Sequence, residues 1–130
     1  MIKKEMLDKK NWAVVGATPN KNKFGYKIWK KLIEHEYNTY GVNPNYDSID
    51  GARIYKSLKD IEGQIDVIDV VVPPKVTLDL LDEAKELGIE YIWFQPGTFD
   101  EEVIKKAQNL GFKFLDDDCV LATLVRLEQK

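Results

Sequence analysis

Gly16 and Gly25 bracket a turn that carries Lys21 and Lys23, within the stretch NWAVVGATPNKNKFGYKIWKK at residues 11–31. A glycine turn that opens into a helix offers unpaired backbone N–H groups and the positive end of a dipole, which suits an anionic phosphate. The two lysines add full charges to that turn. The spacing then restricts which phosphate it holds. A dinucleotide fingerprint needs G-x-G-x-x-G, and the close glycines are missing after Gly16; a Walker loop needs G-x-x-x-x-G-K-[ST], and here Tyr26 follows Gly25.

Further along, an NAD ribose calls for an acid roughly 20 residues beyond the glycine turn, and Asn43 and Pro44 of GVNPNY stand there instead. That loop is neutral and kinked, able to pack against an adenosine that carries a phosphate. Val72, Pro73 and Pro74 of VVVPPK form a rigid wall without the two proline N–H donors, suited to a flat ring or a thin ligand arm. Prolines also start helices, so the same residues are consistent with the first turn of the next element.

Other reactive side chains are sparse. Asp116, Asp117 and Asp118 suggest a metal or phosphoacceptor cluster, but in receiver-like folds such acids sit beside the first strand, and helix capping is the plainer reading. Asp66 and Asp69 flank an apolar strand as hydrogen-bonded acids rather than a catalytic pair. Cys119 is the single cysteine and His35 the single histidine, so an internal disulfide and a Cys/His zinc site are both excluded. His35 lies at the end of a helix, away from the loops above. Trp12, Trp29 and Trp93 fall on core elements. No set of residues reads as catalytic.

The elements that must hold these residues alternate strand and helix. Strands are predicted at WAVVG, NTYGV, around Ile54, at IDVIDVVV, IEYIWF and FKFL. The intervening helices place Ile28, Trp29, Leu32 and Ile33 on one face, and Val76, Leu80, Ala84 and Leu87 on another. Gly88 and Gly111 stop two of them. Thr98 and Glu101 have capping-box spacing for a helix with Val103, Ala107 and Leu110, and DDDCVLATLVRLEQK closes the chain as a helix with acids at its start. Alternation of this kind predicts an α/β fold, a Rossmann-like doubly wound and mainly parallel sheet in three α/β/α layers. Ligands of such sheets lie beyond the carboxyl ends of the strands. The loops GATPNKNKFG, VNPNY, VPPK and FQPG should therefore meet at one edge.

With 130 residues, 44% hydrophobic and 32% charged, the chain is expected to be one folded domain, 1–130. No apolar run is long enough to cross a bilayer and no secretory leader is visible, which points to the cytoplasm and away from a membrane. Residues 1–31 hold nine of the 19 basic side chains and two of the 22 acids, on a chain of net charge -3. A local positive field on an acidic body suits a small polyanion better than a nucleic acid.

Taken in order, AVVGAT, a lysine-bearing loop ending in FGY, GVNPNY, IDVIDVVVPP, WFQPGTFDEE and an acidic stretch with DDC resemble the small stand-alone CoA-binding proteins of the succinyl-CoA synthetase α-subunit type. The resemblance covers about residues 10 to 125. It implies coenzyme A or an acyl-CoA as ligand, with Gly16, Ala17 and Thr18 and the loop through Lys21, Lys23, Phe24 and Gly25 around its phosphates. Asn43, Pro44 and Tyr46 would line the adenosine, Val72, Pro73 and Pro74 the opposite wall, and Gln95 and Gly97 the pantetheine arm, with Cys119 near the ligand's thiol end. The full synthetase subunit adds a domain whose histidine is phosphorylated, and these residues hold no counterpart. The expectation is a binding module without its own catalysis, with a protein partner or a homodimer left open. Two other readings stand beside it: a nicotinamide-dinucleotide oxidoreductase module, and an interaction module with no ligand.

Overall fold

A computed structural model describes residues 1–129 of the chain. Strand β1 (Asn11–Val15) shows why the sheet must be covered on both faces. Trp12 and Val14 pack into one apolar cluster, Ala13 and Val15 into another, and all four are buried. Around it lie α1 (Ile2–Leu7), α2 (Phe24–Glu34), β2 (Asn38–Val42), β3 (Ser48–Ile49) and β4 (Ala52–Tyr55). The second half continues through β5 (Val67–Val70), α3 (Pro74–Glu86), β6 (Tyr91–Phe94), α4 (Glu101–Asn109), β7 (Lys113–Leu115) and α5 (Val120–Glu128).

The strands run in the order β3-β4-β2-β1-β5-β6-β7. Every pairing is parallel except the β3–β4 hairpin. Helices α2 and α5 pack together on one face and α3 and α4 on the other. This is the doubly wound α/β sandwich expected from the alternation. The chain leaves β1 toward β2 on one side and reaches β5 on the other, so the change of direction falls at the carboxyl end of β1.

Several local expectations shift. On α2 the buried face is Gly25, Ile28, Trp29 and Leu32, whereas Ile33 is 39% exposed. On α3 it is Thr77, Leu80, Leu81 and Ala84, with Val76 and Leu87 turned outward. Both deviations come from reading every apolar residue as core; a helix stripe narrower than the run of apolar residues leaves its flanks wet. Thr98 does not cap α4. Its hydroxyl donates to Gln95 O at 2.7 Å, and Asp100 is the cap, accepting from Val103 N–H at 2.9 Å. Gly88 and Gly111 have φ of +76° and +83°, the left-handed backbone that ends α3 and α4. Helix α1 and strand β3 were not expected, being too short to carry a period. The three tryptophans are buried.

Candidate functional site

The three loops at the switch point are fastened to one another by backbone and amide hydrogen bonds. Gly16 N–H donates to Val42 O at 2.9 Å, Val71 N–H to Val15 O at 2.8 Å, and the Asn43 side-chain amide to Ala17 O at 2.9 Å. Asn43 Oδ1 also accepts from Asn45 N–H at 2.9 Å, which tightens its own loop. Gly16 is required twice over. Its φ is +108°, and a Cβ there would lie 2.6 Å from Val71 O.

The turn between β1 and α2 then rises over this edge. Thr18 Oγ1 accepts from Asn20 N–H at 3.2 Å and Asn20 Oδ1 from Asn22 N–H at 3.0 Å, two side-chain turns that curl the chain toward Lys23. Lys23 is the N-cap of α2 and makes no side-chain cap bond, and no acid occupies the first turn. The first N–H groups of the helix therefore have no acceptor within it, and its dipole is not offset by an anion. Lys21 and Lys23 are exposed beside them and, among the described residues, form no ion pair. Gly25 lets the helix seat against the turn, since a Cβ there would lie 2.2 Å from Gly16 O. Arrangement and charge are together of the kind that favours an anion.

Beneath the turn a cavity of about 480 Å³ opens between the β2 loop and the start of α3. Gly16, Asn43, Pro44, Val72 and Pro73 line it, which brings together the core of the expected site. Pro73 is the N-cap of α3 and Pro74 its first residue, so the prolines serve as wall and helix start at once. The volume falls within the roughly 300–1,000 Å³ of small-molecule sites. A second cavity, about 420 Å³, lies at the opposite strand ends beside Asp66 and Glu90. Ligands of open α/β sheets sit at the carboxyl edge, so the first cavity is the candidate.

Other expected residues stand further off. Ala17 and Thr18 are buried under the turn, while Phe24 (60% exposed) and Tyr46 are exposed, and none of the four lines the cavity. Gln95 does not face an open cleft. It is buried against Asp69, its Nε2 donating to Asp69 Oδ1 at 2.5 Å. Burial pushes the Asp69 carboxyl well above the usual range despite that bond. Burial thus favours the protonated acid, whose hydroxyl is a donor. Among the described residues, Asp69 Oδ2 and Gln95 Oε1 are the buried side-chain atoms without a partner, and a protonated Asp69 would match a donor to that acceptor. Gly97, with φ +87°, turns the chain after Gln95.

Cys119 is half-buried as the N-cap of α5 and does not line the cavity. Its N–H donates to Asp118 Oδ1 at 2.8 Å, and Trp93 Nε1 donates to Asp118 O at 3.0 Å. Burial alone would raise the Asp118 carboxyl; the Lys3 and Cys119 bonds and the Lys3 and Arg126 charges outweigh it and hold it below the usual range. Asp118 thus serves the helix start. His35 bonds Glu128 at 2.8 Å, far along the chain from the loops.

Residues that the sequence reading missed also line the cavity: Lys56 and Ser57 after β4, and Val76, Asp79, Leu80 and Glu83 on α3. The last four recur at i, i+3, i+4 and i+7, and of these Val76 and Leu80 read in the sequence as part of a core stripe with Ala84 and Leu87.

A doubly wound sheet with an uncapped helix start, a lysine-bearing turn and an apolar cleft at its switch point is a Rossmann-like α/β domain with a candidate ligand site at its carboxyl edge. The chain belongs to the CoA binding domain family, which it matches over residues 10–124. It is 30% identical over 119 residues to the acetate–CoA ligase [ADP-forming] II subunit alpha of Pyrococcus furiosus, covering 83% of this chain and 26% of that one. Against the uncharacterized protein YneT of Bacillus subtilis it is 28% identical, covering 90% of this chain and 87% of the relative. The chain thus spans about a quarter of the ligase subunit and most of the small protein. Among solved structures, a conserved hypothetical protein from Pyrococcus furiosus superposes with a TM-score of 0.84 at 37% identity, covering 88% of this chain and 99% of its own. A hypothetical protein from Pyrococcus horikoshii OT3 gives 0.89 at 34%, covering 98% and 89%. No helix of the described residues is long and apolar enough to cross a membrane.

Proposed function

We propose that this domain binds coenzyme A or an acyl-CoA at the carboxyl edge of its sheet and carries out no chemistry on it. The observation that carries this reading is an apolar cleft lined by Gly16, the residue on which the uncapped start of α2 packs, in a chain of the CoA binding domain family. The diphosphate sits at Gly16–Thr18 and the first turn of α2, reached by Lys21 and Lys23. The adenosine enters between Asn43–Pro44 and Val72–Pro73, with Tyr46 and Phe24 at the rim, and the arm runs past Pro74 toward Gly97 and Cys119. Gln95 acts from behind, fixing that loop through Asp69.

The side chains at the cleft supply binding groups and no nucleophile–base pair, which supports a carrier, sensor or regulatory module of the cytoplasm. One relative is named as a subunit, and a protein partner fits the same role. Thermal-shift measurements with CoA, acetyl-CoA, NAD and NADP test the proposal. A ligand at 100 times its dissociation constant adds about 2.7 kcal/mol. Stabilisation by CoA or acetyl-CoA alone is expected; stabilisation by NAD or NADP alone, or by none of the four, refutes it.

A further inference from the structure

Lys56 stands where the substituents of a bound ribose would arrive. Strand β4 pairs beside β2, with Val42 opposite Tyr55, and Asn43 N–H donates to Tyr55 O at 2.9 Å. Lys56 therefore follows β4 as Asn43 follows β2, side by side on the carboxyl edge. Both line the same cavity, and Lys56 is the one cation among its lining residues. A nucleotide whose diphosphate rests on the β1–α2 turn places its ribose over the end of β2. The next strand outward is β4.

The lysine is held in readiness rather than locked. Its ammonium contacts Asp47 at 2.8 Å and Tyr46 O at 3.3 Å, both on the β2–β3 loop. The Lys56 and Asp47 side chains are 52% and 91% exposed, so exchanging this contact for another anion costs little. Asn43 also leaves the end of β2 without the carboxylate that would repel a phosphate there. We propose that Lys56 reads a phosphomonoester on the ribose of a bound adenine nucleotide, distinguishing CoA from its 3′-dephospho form. This inference rests on the coenzyme reading above.

Titration calorimetry with CoA and 3′-dephospho-CoA tests it. The parent is expected to prefer CoA by about tenfold, or ~1.4 kcal/mol. Lys56→Gln should bring the two affinities together by weakening CoA while leaving dephospho-CoA unchanged, and should flatten the salt dependence of CoA binding. Lys56→Arg keeps the charge and should keep the preference, which guards against a folding defect in the glutamine variant. A preference that survives Lys56→Gln, or a parent without one, overturns the role of the lysine while CoA binding itself stands. A parent that binds neither form overturns both proposals. A parallel comparison of NADP with NAD identifies the source of the phosphate: a tenfold preference for NADP, erased by Lys56→Gln in a protein that ignores CoA, would give the lysine a 2′-phosphate and refute the coenzyme reading.

Discussion

Gly25→Ala is the substitution whose outcome departs furthest from helix propensity. Gly25 lies in the first turn of α2 with an ordinary helical φ, so alanine would gain about 1 kcal/mol from its lower backbone entropy in the unfolded chain. Packing works against this. The added Cβ would stand 2.2 Å from Gly16 O, 3.1 Å from Gly16 C and 3.3 Å from Thr18 Cγ2. Carbon and carbonyl oxygen ordinarily approach no closer than about 3.3 Å, so the turn or the helix must move by roughly 1 Å. Neither is free to do so, because Gly16 is tied to Val42 on one side and packed on Val71 on the other. Overpacking of this size costs about 1–3 kcal/mol. The expected net change is a loss of about 0–2 kcal/mol in denaturant unfolding, with CoA affinity lowered at least about tenfold because the turn has shifted. Gly111→Ala is the control: its φ is +83° and no atom lies within 4 Å of the added carbon. It should cost roughly 1 kcal/mol in stability and leave binding intact. A Gly25→Ala protein as stable as the parent, binding CoA equally well, would refute the close-packed turn.

Three further outcomes are expected. Asp69→Asn should remove a pH dependence: the raised carboxyl binds a proton in the folded chain that the unfolded chain has released, so the parent loses stability as pH rises above the ordinary carboxylate value, until its folded value is passed. The asparagine can still pair with Gln95, so its stability relative to the parent should grow as pH rises above the ordinary carboxylate value, and a difference that does not change with pH argues against a raised Asp69. Replacing Lys21 and Lys23 with Ala should weaken CoA binding and flatten its salt dependence; undiminished affinity at low ionic strength would leave both as solvated surface charges. Exposure to CoA disulfide should form a mixed disulfide at Cys119 with release of one CoA thiol, seen by intact mass as an adduct lost on reduction and absent in Cys119→Ser. An unmodified protein at saturating CoA places the thiol away from the end of the arm.

Much of this domain was legible in its sequence because the signals were local or periodic. The β-branched runs at Val14–Val15 and Val67–Val70, the glycine stops at 88 and 111, and the missing acid at Asn43 each follow from a residue type at a fixed offset. From those alone came the doubly wound sheet and the meeting of Gly16, Asn43 and Pro73 at one edge. Tertiary contacts decided the rest. Gln95 reads as a ligand residue in FQPG, yet β6 lies beside β5 and brings it against Asp69, where each is the other's partner. Val76 and Leu80 read as one core stripe, yet both line the cavity, with Val76 exposed there and Leu80 at the edge of the buried face. Lys56 carries no sequence signal of its own, since a lysine after a short strand is usually surface. It enters the cleft only because β4 pairs with β2. Sequence periodicity specifies which face of an element is apolar, while the neighbouring strand and the end of the sheet determine what that face meets.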